Sequence, residues 1–199
     1  MRREDWDRRY AEAEHLWSAK PNRVLVAEAG SLPPGTALDL ACGEGQNATW
    51  LAERGWRVTA VDFSEVAVAK ARERAGAAGV ELDLVCGDLL DFEPEGGRYD
   101  LVVVFFLQLP TDERRIVLPR AARALAAGGT LLLVGHDLLN LTEGVGGPSD
   151  PNVLYTPEDV VEDLRGLEIE KAERILRDVS GADRPAVDVL VRARRPSAS

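Results

Sequence analysis

Apolar and polar positions alternate with several different periods along the chain. Trp6, Tyr10, Ala13 and Trp17 recur at intervals of four, three and four, the spacing of one helix face, and predict an amphipathic helix over residues 4–18. Pro33-Pro34-Gly35 breaks that pattern before the short apolar run 37–41, which reads as a strand running into the glycine loop Cys42-Gly43-Glu44-Gly45. Residues 46–54 suit a helix closed by Gly55, and the β-branched stretch 57–62 suits a second strand. Ser64 is placed to cap a helix running to about Gly76. Strand-like runs follow at 82–86, 101–106 and 130–134, with a helix over 111–125 between the last two.

Strand and helix in alternation predict an α/β fold: a single Rossmann-like doubly wound sheet, mostly parallel. The stretch 137–154 is rich in Gly, Asn, Pro and Asp without periodicity and reads as a long loop of the kind that carries function. Thr156 and Pro157 start a helix after it. Residues 167–176 and 186–194, joined by Ser180-Gly181-Ala182-Asp183, read as an antiparallel hairpin at the C-terminal sheet edge. The expected organisation is a helical cap over 1–30, one domain over 31–195 and a tail at 196–199.

Composition narrows what such a domain does. With 199 residues, 45% of them hydrophobic, there is enough chain for one substantial core. A formal charge of −10, from 34 acidic and 24 basic residues, repels a phosphate backbone and argues against nucleic acid as partner. Cys42 and Cys86, the only cysteines, form neither a C-x-x-C pair nor a metal cluster, so no metal is expected and a reduced, cytoplasmic setting is the reading. No window approaches a membrane span, and no apolar run follows the basic pair Arg2-Arg3, so neither export nor a membrane partner is expected.

Chemistry concentrates in Asp39-Leu40-Ala41-Cys42-Gly43-Glu44-Gly45, with Asp62 closing the next strand 23 positions later. Gly43 and Gly45 permit the tight turn and admit a ligand to backbone that a Cβ would block. Asp62 is placed for the two ribose hydroxyls of an adenosine moiety, which suits a dinucleotide equally. Asp39 discriminates, because its carboxylate ahead of the turn disfavours a pyrophosphate and welcomes an ammonium. Ala48 stands where the third glycine of the dinucleotide fingerprint would fall.

Asp39 to Gly45, Val61-Asp62-Phe63-Ser64 and Gly87-Asp88-Leu89 resemble, in order and spacing, the successive motifs of class I S-adenosylmethionine-dependent methyltransferases, over roughly residues 36–135. Trp6, Tyr10 and Trp17 with Pro21-Asn22 further resemble small bacterial methyltransferases of the tellurite-resistance type. The resemblance implies S-adenosylmethionine as cofactor and S-adenosylhomocysteine as product. It implies that Asp39 and the Ala41 to Gly45 backbone hold the methionine part, Asp62 the ribose, and Asp88 with Leu89 the adenine, with Phe63 on its face. Trp17, Asn47, Ser64 and Phe105 complete the expected cofactor contacts. Many relatives carry paired histidines after the fourth strand; here Phe106-Leu107-Gln108-Leu109 stands there, which excludes a histidine base at that point.

His136, after the fifth strand, is the candidate general base, against the plainer reading of a histidine serving loop hydrogen bonds. Cys42 reads as a small buried residue and His15 as solvated. The aromatic stripe reads as a mixture of core and cofactor lid. The expected partner is a small-molecule methyl acceptor, on a monomer or homodimer. Two other readings stay open: a non-catalytic S-adenosylmethionine-binding protein and an NAD-dependent oxidoreductase.

Overall fold

The structure, a computed structural model, describes residues 3–197. Seven strands and six helices follow in the order α1 (Arg3–Glu12), α2 (Arg23–Ala29), β1 (Thr36–Leu40), α3 (Gln46–Ala52), β2 (Arg57–Asp62), α4 (Glu65–Ala78), β3 (Asp83–Cys86), β4 (Tyr99–Phe105), α5 (Thr111–Ala124), β5 (Leu125–His136), α6 (Pro157–Asp163), β6 (Glu168–Arg177) and β7 (Ala186–Arg194). Short 3-10 turns occupy Leu138–Leu141 and Pro151–Val153 within the expected loop.

One mixed sheet runs β3-β2-β1-β4-β5-β7-β6, with β1, β2 and β3 parallel and β7 antiparallel to both β5 and β6. The mostly parallel Rossmann-like sheet with an antiparallel C-terminal hairpin is therefore as the sequence predicts. Contacts gather the chain into two compact units, one holding the chain up to Glu93 with Tyr99–Val103, the other Pro94–Arg98 and the chain from Val104 onward.

Local rules account for most boundaries. Ser64 Oγ accepts the Ala67 N–H at the start of α4, and Gly79 ends that helix in the left-handed conformation. Thr156 and Asp159 form a reciprocal capping box on α6. The core strand β4 buries Leu101, Val102, Val103 and Val104 almost completely.

The N-terminal helix departs from expectation: it ends at Glu12 instead of near residue 18. Beyond that point the backbone finds better partners than its own next turn. Lys70 Nζ donates to the carbonyls of Tyr10 (2.7 Å), Ala13 (2.5 Å) and Glu14 (3.1 Å), while the N–H groups of Leu16 and Trp17 donate to the buried Glu44 carboxylate. Trp17 is thus off the helix, yet the loop returns its ring to within 6.1 Å of Trp6. Asn22 then caps α2 through the Val24 N–H. His15 is exposed, but on this loop and not on a helix.

Candidate functional site

In the first unit the end of β1 turns sharply. Ala41 (φ 60°), Gly43 (φ 54°) and Gly45 (φ 76°) all adopt the left-handed region, an unusual conformation for alanine that costs about 1 kcal/mol or more. At Gly43 a side chain is also excluded by its neighbours: a Cβ would lie 3.0 Å from the Tyr10 hydroxyl and 3.8 Å from the Trp17 ring. Gly45 leads into α3 and lies so near Ala71 of α4 that a Cβ would meet it at 2.8 Å. The turn is fixed by Cys42 N–H donating to Val61 and Gly43 N–H donating to Asp62 Oδ2 at 2.9 Å.

Carboxylates surround this turn. Asp39 is 1% exposed, and its Oδ2 has no hydrogen-bond partner among the described residues. Burial, reinforced by the nearby Asp62 charge, pushes the Asp39 carboxyl up to about 8, against the Ala48 backbone N–H that favours the charged form. Asp62 is also raised, chiefly by burial, although the N–H groups of Ser64 and Gly43 oppose the shift. Glu44, equally buried, is satisfied by Lys70 at 3.2 Å as well as by the two N-terminal amides. Burial raises the Tyr10 hydroxyl far above its ordinary value; its oxygen accepts from Trp17 Nε1.

Trp17 is 41% exposed, and Asn47 Oδ1 accepts the Asn22 N–H. Ser64 donates to Asp7 of α1, Phe63 is half-buried beside it, Asp88 Oδ1 accepts the Leu90 N–H, and Leu89 is buried. Phe105 and His136 belong to the second unit. Glu44, Lys70 and Asp7 were not singled out from sequence. The acid inside the glycine turn was the available signal, but its basic partner lies 26 residues away.

The second unit holds a separate cluster. Phe106 follows β4 with φ 57°, a strained value for a bulky side chain, and its ring lies 5.0 Å from that of His136. The backbone N–H of His136 donates to Gln108 Oε1, and the Gln108 side-chain amide in turn donates to the Val153 carbonyl. His136 Nδ1 lies 3.2 Å from Asp188 Oδ1, close enough to interact electrostatically but off-line for a hydrogen bond. Arg177 grips both oxygens of Asp188, at 2.6 and 3.4 Å. Cys42, by contrast, is inert: burial raises its thiol well above the ordinary value.

Residues 37–129 match the family described as Methyltransferase domain. The match covers 93 of the 199 residues, from β1 into β5. Among curated proteins it is 38% identical over 108 residues to ribosomal RNA small subunit methyltransferase C of Alcanivorax borkumensis, a match over 52% of this chain and 33% of that protein. It spans about a third of the length of such curated relatives. Two solved structures share the fold. N-methyltransferase NodS of Bradyrhizobium japonicum, in complex with S-adenosylhomocysteine, superposes with TM-score 0.73 at 22% identity over 98% of each chain. TehB of Haemophilus influenzae gives TM-score 0.74 at 20% identity over 87% of this chain and 62% of its own.

The residues at the glycine turn suit the cofactor of the methyltransferase domains that residues 37–129 match. S-adenosylmethionine carries an ammonium and a sulfonium, and the orphaned Asp39 oxygen is an acceptor that a cation satisfies. The turn at Gly43 leaves backbone that a ligand can approach without meeting a Cβ. Among the described residues no helix is long and apolar enough to cross a membrane.

Proposed function

We propose that this methyltransferase moves the methyl group of S-adenosylmethionine to a small-molecule acceptor and releases S-adenosylhomocysteine. The observation that carries the reading is the buried, unpartnered Asp39 oxygen beside the left-handed glycine turn. A binding site for pyrophosphate would not keep an acid there. When bound, the cofactor supplies a methyl group already activated by its sulfonium.

In this reading Asp39 holds the ammonium, with the backbone of Ala41, Gly43 and Gly45 beside the methionine chain. Asp62 receives the ribose hydroxyls on lone pairs not used by Gly43 and Ser64. Asp88 and Leu89 border the adenine, and Phe63 lies on its face. Asn47, Ser64 and Phe105 make further cofactor contacts, and Trp17 covers the methionine end. Residues 1–30 act as the cap, 31–195 as the catalytic domain and 196–199 as a tail. His136 takes the proton of a hydroxyl acceptor as its oxygen gains the methyl group; a thiolate or other anion needs no base.

The net charge of −10 supports a small acceptor over a polynucleotide, and the ribosomal RNA enzyme it resembles is aligned over only a third of that enzyme's length. A cytoplasmic monomer or homodimer fits this chemistry. Calorimetric titration with S-adenosylmethionine, S-adenosylhomocysteine and NAD tests the cofactor, with binding expected for the first two alone. Incubation with a panel of phenols, thiols, amines, halides and metalloid oxyanions, read by mass spectrometry, is expected to yield S-adenosylhomocysteine and one methylated product. Binding without turnover on any acceptor would replace the enzyme with a cofactor-binding protein.

A further inference from the structure

The hairpin that closes the sheet carries an ion pair that the cofactor turn does not use. Asp188 is fully buried in β7, within the apolar run Ala186 to Val191. The register puts it directly opposite His136 of β5 on one side and Ile175 of β6 on the other. Arg177 lies two residues beyond Ile175, on the same face of the sheet. An isolated carboxylate in such a strand is costly, and Arg177 offsets that cost from the exposed edge. A purely structural ion pair would not need a histidine at the third position, yet three strands bring His136 Nδ1 to 3.2 Å.

The ring is confined on its other sides too. A Cβ at Gly147 would lie 2.9–3.0 Å from Nδ1, Cδ2 and Cε1, so the loop backbone packs against the ring. Phe106 flanks it at 5.0 Å, and Arg177 lies 5.3 Å over Phe106. The charged groups around His136 are therefore Asp188 from β7, Arg177 from β6, and the neighbouring Asp137 paired with Arg174 at 2.9 Å. From the end of β4 come only Phe106 and the neutral Gln108.

We propose that Asp188 and Arg177 are positioning residues that hold the His136 ring, keep the neutral imidazole proton on Nδ1 and leave Nε2 as the base. The proposal rests on reading His136 as the acceptor's base. In the step it serves, the acceptor O–H proton passes to Nε2, the new O–CH3 bond forms as the C–S bond breaks, and the sulfur leaves with its electron pair. Asp188 stabilises the resulting imidazolium, and Arg177 holds the Asp188 carboxylate in place.

The chain has two histidines, so nitrogen-15 NMR of the full-length protein resolves His136 with His15 as an internal reference. The wild type is expected to show the Nδ1–H tautomer. Asp188→Asn should move the proton to Nε2 in a large fraction of molecules, and Arg177→Gln should loosen the ring and mix the two tautomers, with the His15 signals unmoved. Asp188→Asn should also cut kcat on a hydroxyl acceptor about tenfold or more, at unchanged KM for S-adenosylmethionine. If Asp188→Asn fails to fold, Arg177→Gln carries the test alone through the same tautomer signals. An unchanged tautomer in both variants overturns the pair. The expected NMR shifts, with hydroxyl methylation intact in His136→Ala, would instead retire His136 as base.

Discussion

The glycine turn of the first unit and the histidine cluster of the second solve opposite electrostatic problems. Around the turn, Asp39 is buried and left incomplete, whereas in the hairpin the equally buried Asp188 is satisfied by Arg177. An incomplete acid penalises the free protein and rewards a cation that arrives later. A completed one contributes nothing to ligand affinity, but it holds its neighbour in place. The contrast distinguishes the proposed cofactor surface from the proposed proton-transfer cluster, and it can be broken by substitution.

The largest effect is expected at Asp62. Its carboxylate holds the Gly43 and Ser64 amides, and in the proposed site it also receives two ribose hydroxyls. Charge-assisted hydrogen bonds contribute roughly 1.5–3 kcal/mol each, so Asp62→Ala should weaken S-adenosylhomocysteine binding by about 100-fold or more. His136→Ala, assayed by the same calorimetry, should leave that affinity unchanged. Equal losses in the two variants would dissolve the distinction between the two regions.

A smaller effect comes from pH. With Asp39 pushed up to about 8 in the free protein, the folded state holds a proton that the unfolded chain, at the ordinary value of 3.8, has released. The folded state thus binds more protons between these values, and its stability falls as pH rises from about 4 to about 8. An ammonium beside Asp39 reverses the preference, so binding expels that proton. Affinity for S-adenosylmethionine should rise by up to about tenfold per pH unit below pH 8, then flatten as the cofactor's own amino group, near 7.7–8.0, loses its charge. Asp39→Asn should abolish most of that slope and gain stability at pH 8 in thermal melts. A slope preserved in Asp39→Asn would assign the proton to another group.

Sequence made the turn legible because its parts are local. The run Asp39 to Gly45, the strand ending at Asp62 and the Ser64 cap each rely on neighbours a few residues away, and the structure has them where the spacing predicts. The hairpin was legible as an element but not as chemistry. That Asp188 meets His136 depends on register between strands some fifty residues apart. A clue was present all the same, since Asp188 interrupts an apolar strand and such an acid needs a partner. The N-terminal helix was overextended for a related reason. Its aromatic period continues to Trp17, but the backbone is diverted by Lys70 and Glu44, whose pull no local propensity reveals.

That diversion supplies the smallest expected effect. Lys70 joins the carbonyls of Tyr10, Ala13 and Glu14 to Glu44, which stands between the two glycines of the turn and accepts the amides of Leu16 and Trp17. The cap over Gly43 is therefore tied to the turn by polar contacts as well as by the Trp6, Tyr10 and Trp17 rings. Lys70→Met keeps the aliphatic stem and removes the ammonium. Hydrogen exchange over residues 10–17 should quicken several-fold in the free protein, and S-adenosylhomocysteine should restore much of the protection, because ligand contacts offset the entropy of fixing the segment. Affinity should fall only about three- to tenfold, as a faster dissociation rate, since a cap that opens more often releases its ligand sooner. If the aromatic rings alone hold the cap, exchange in Lys70→Met will match the wild type with and without ligand, and the segment is permanent core and not a lid.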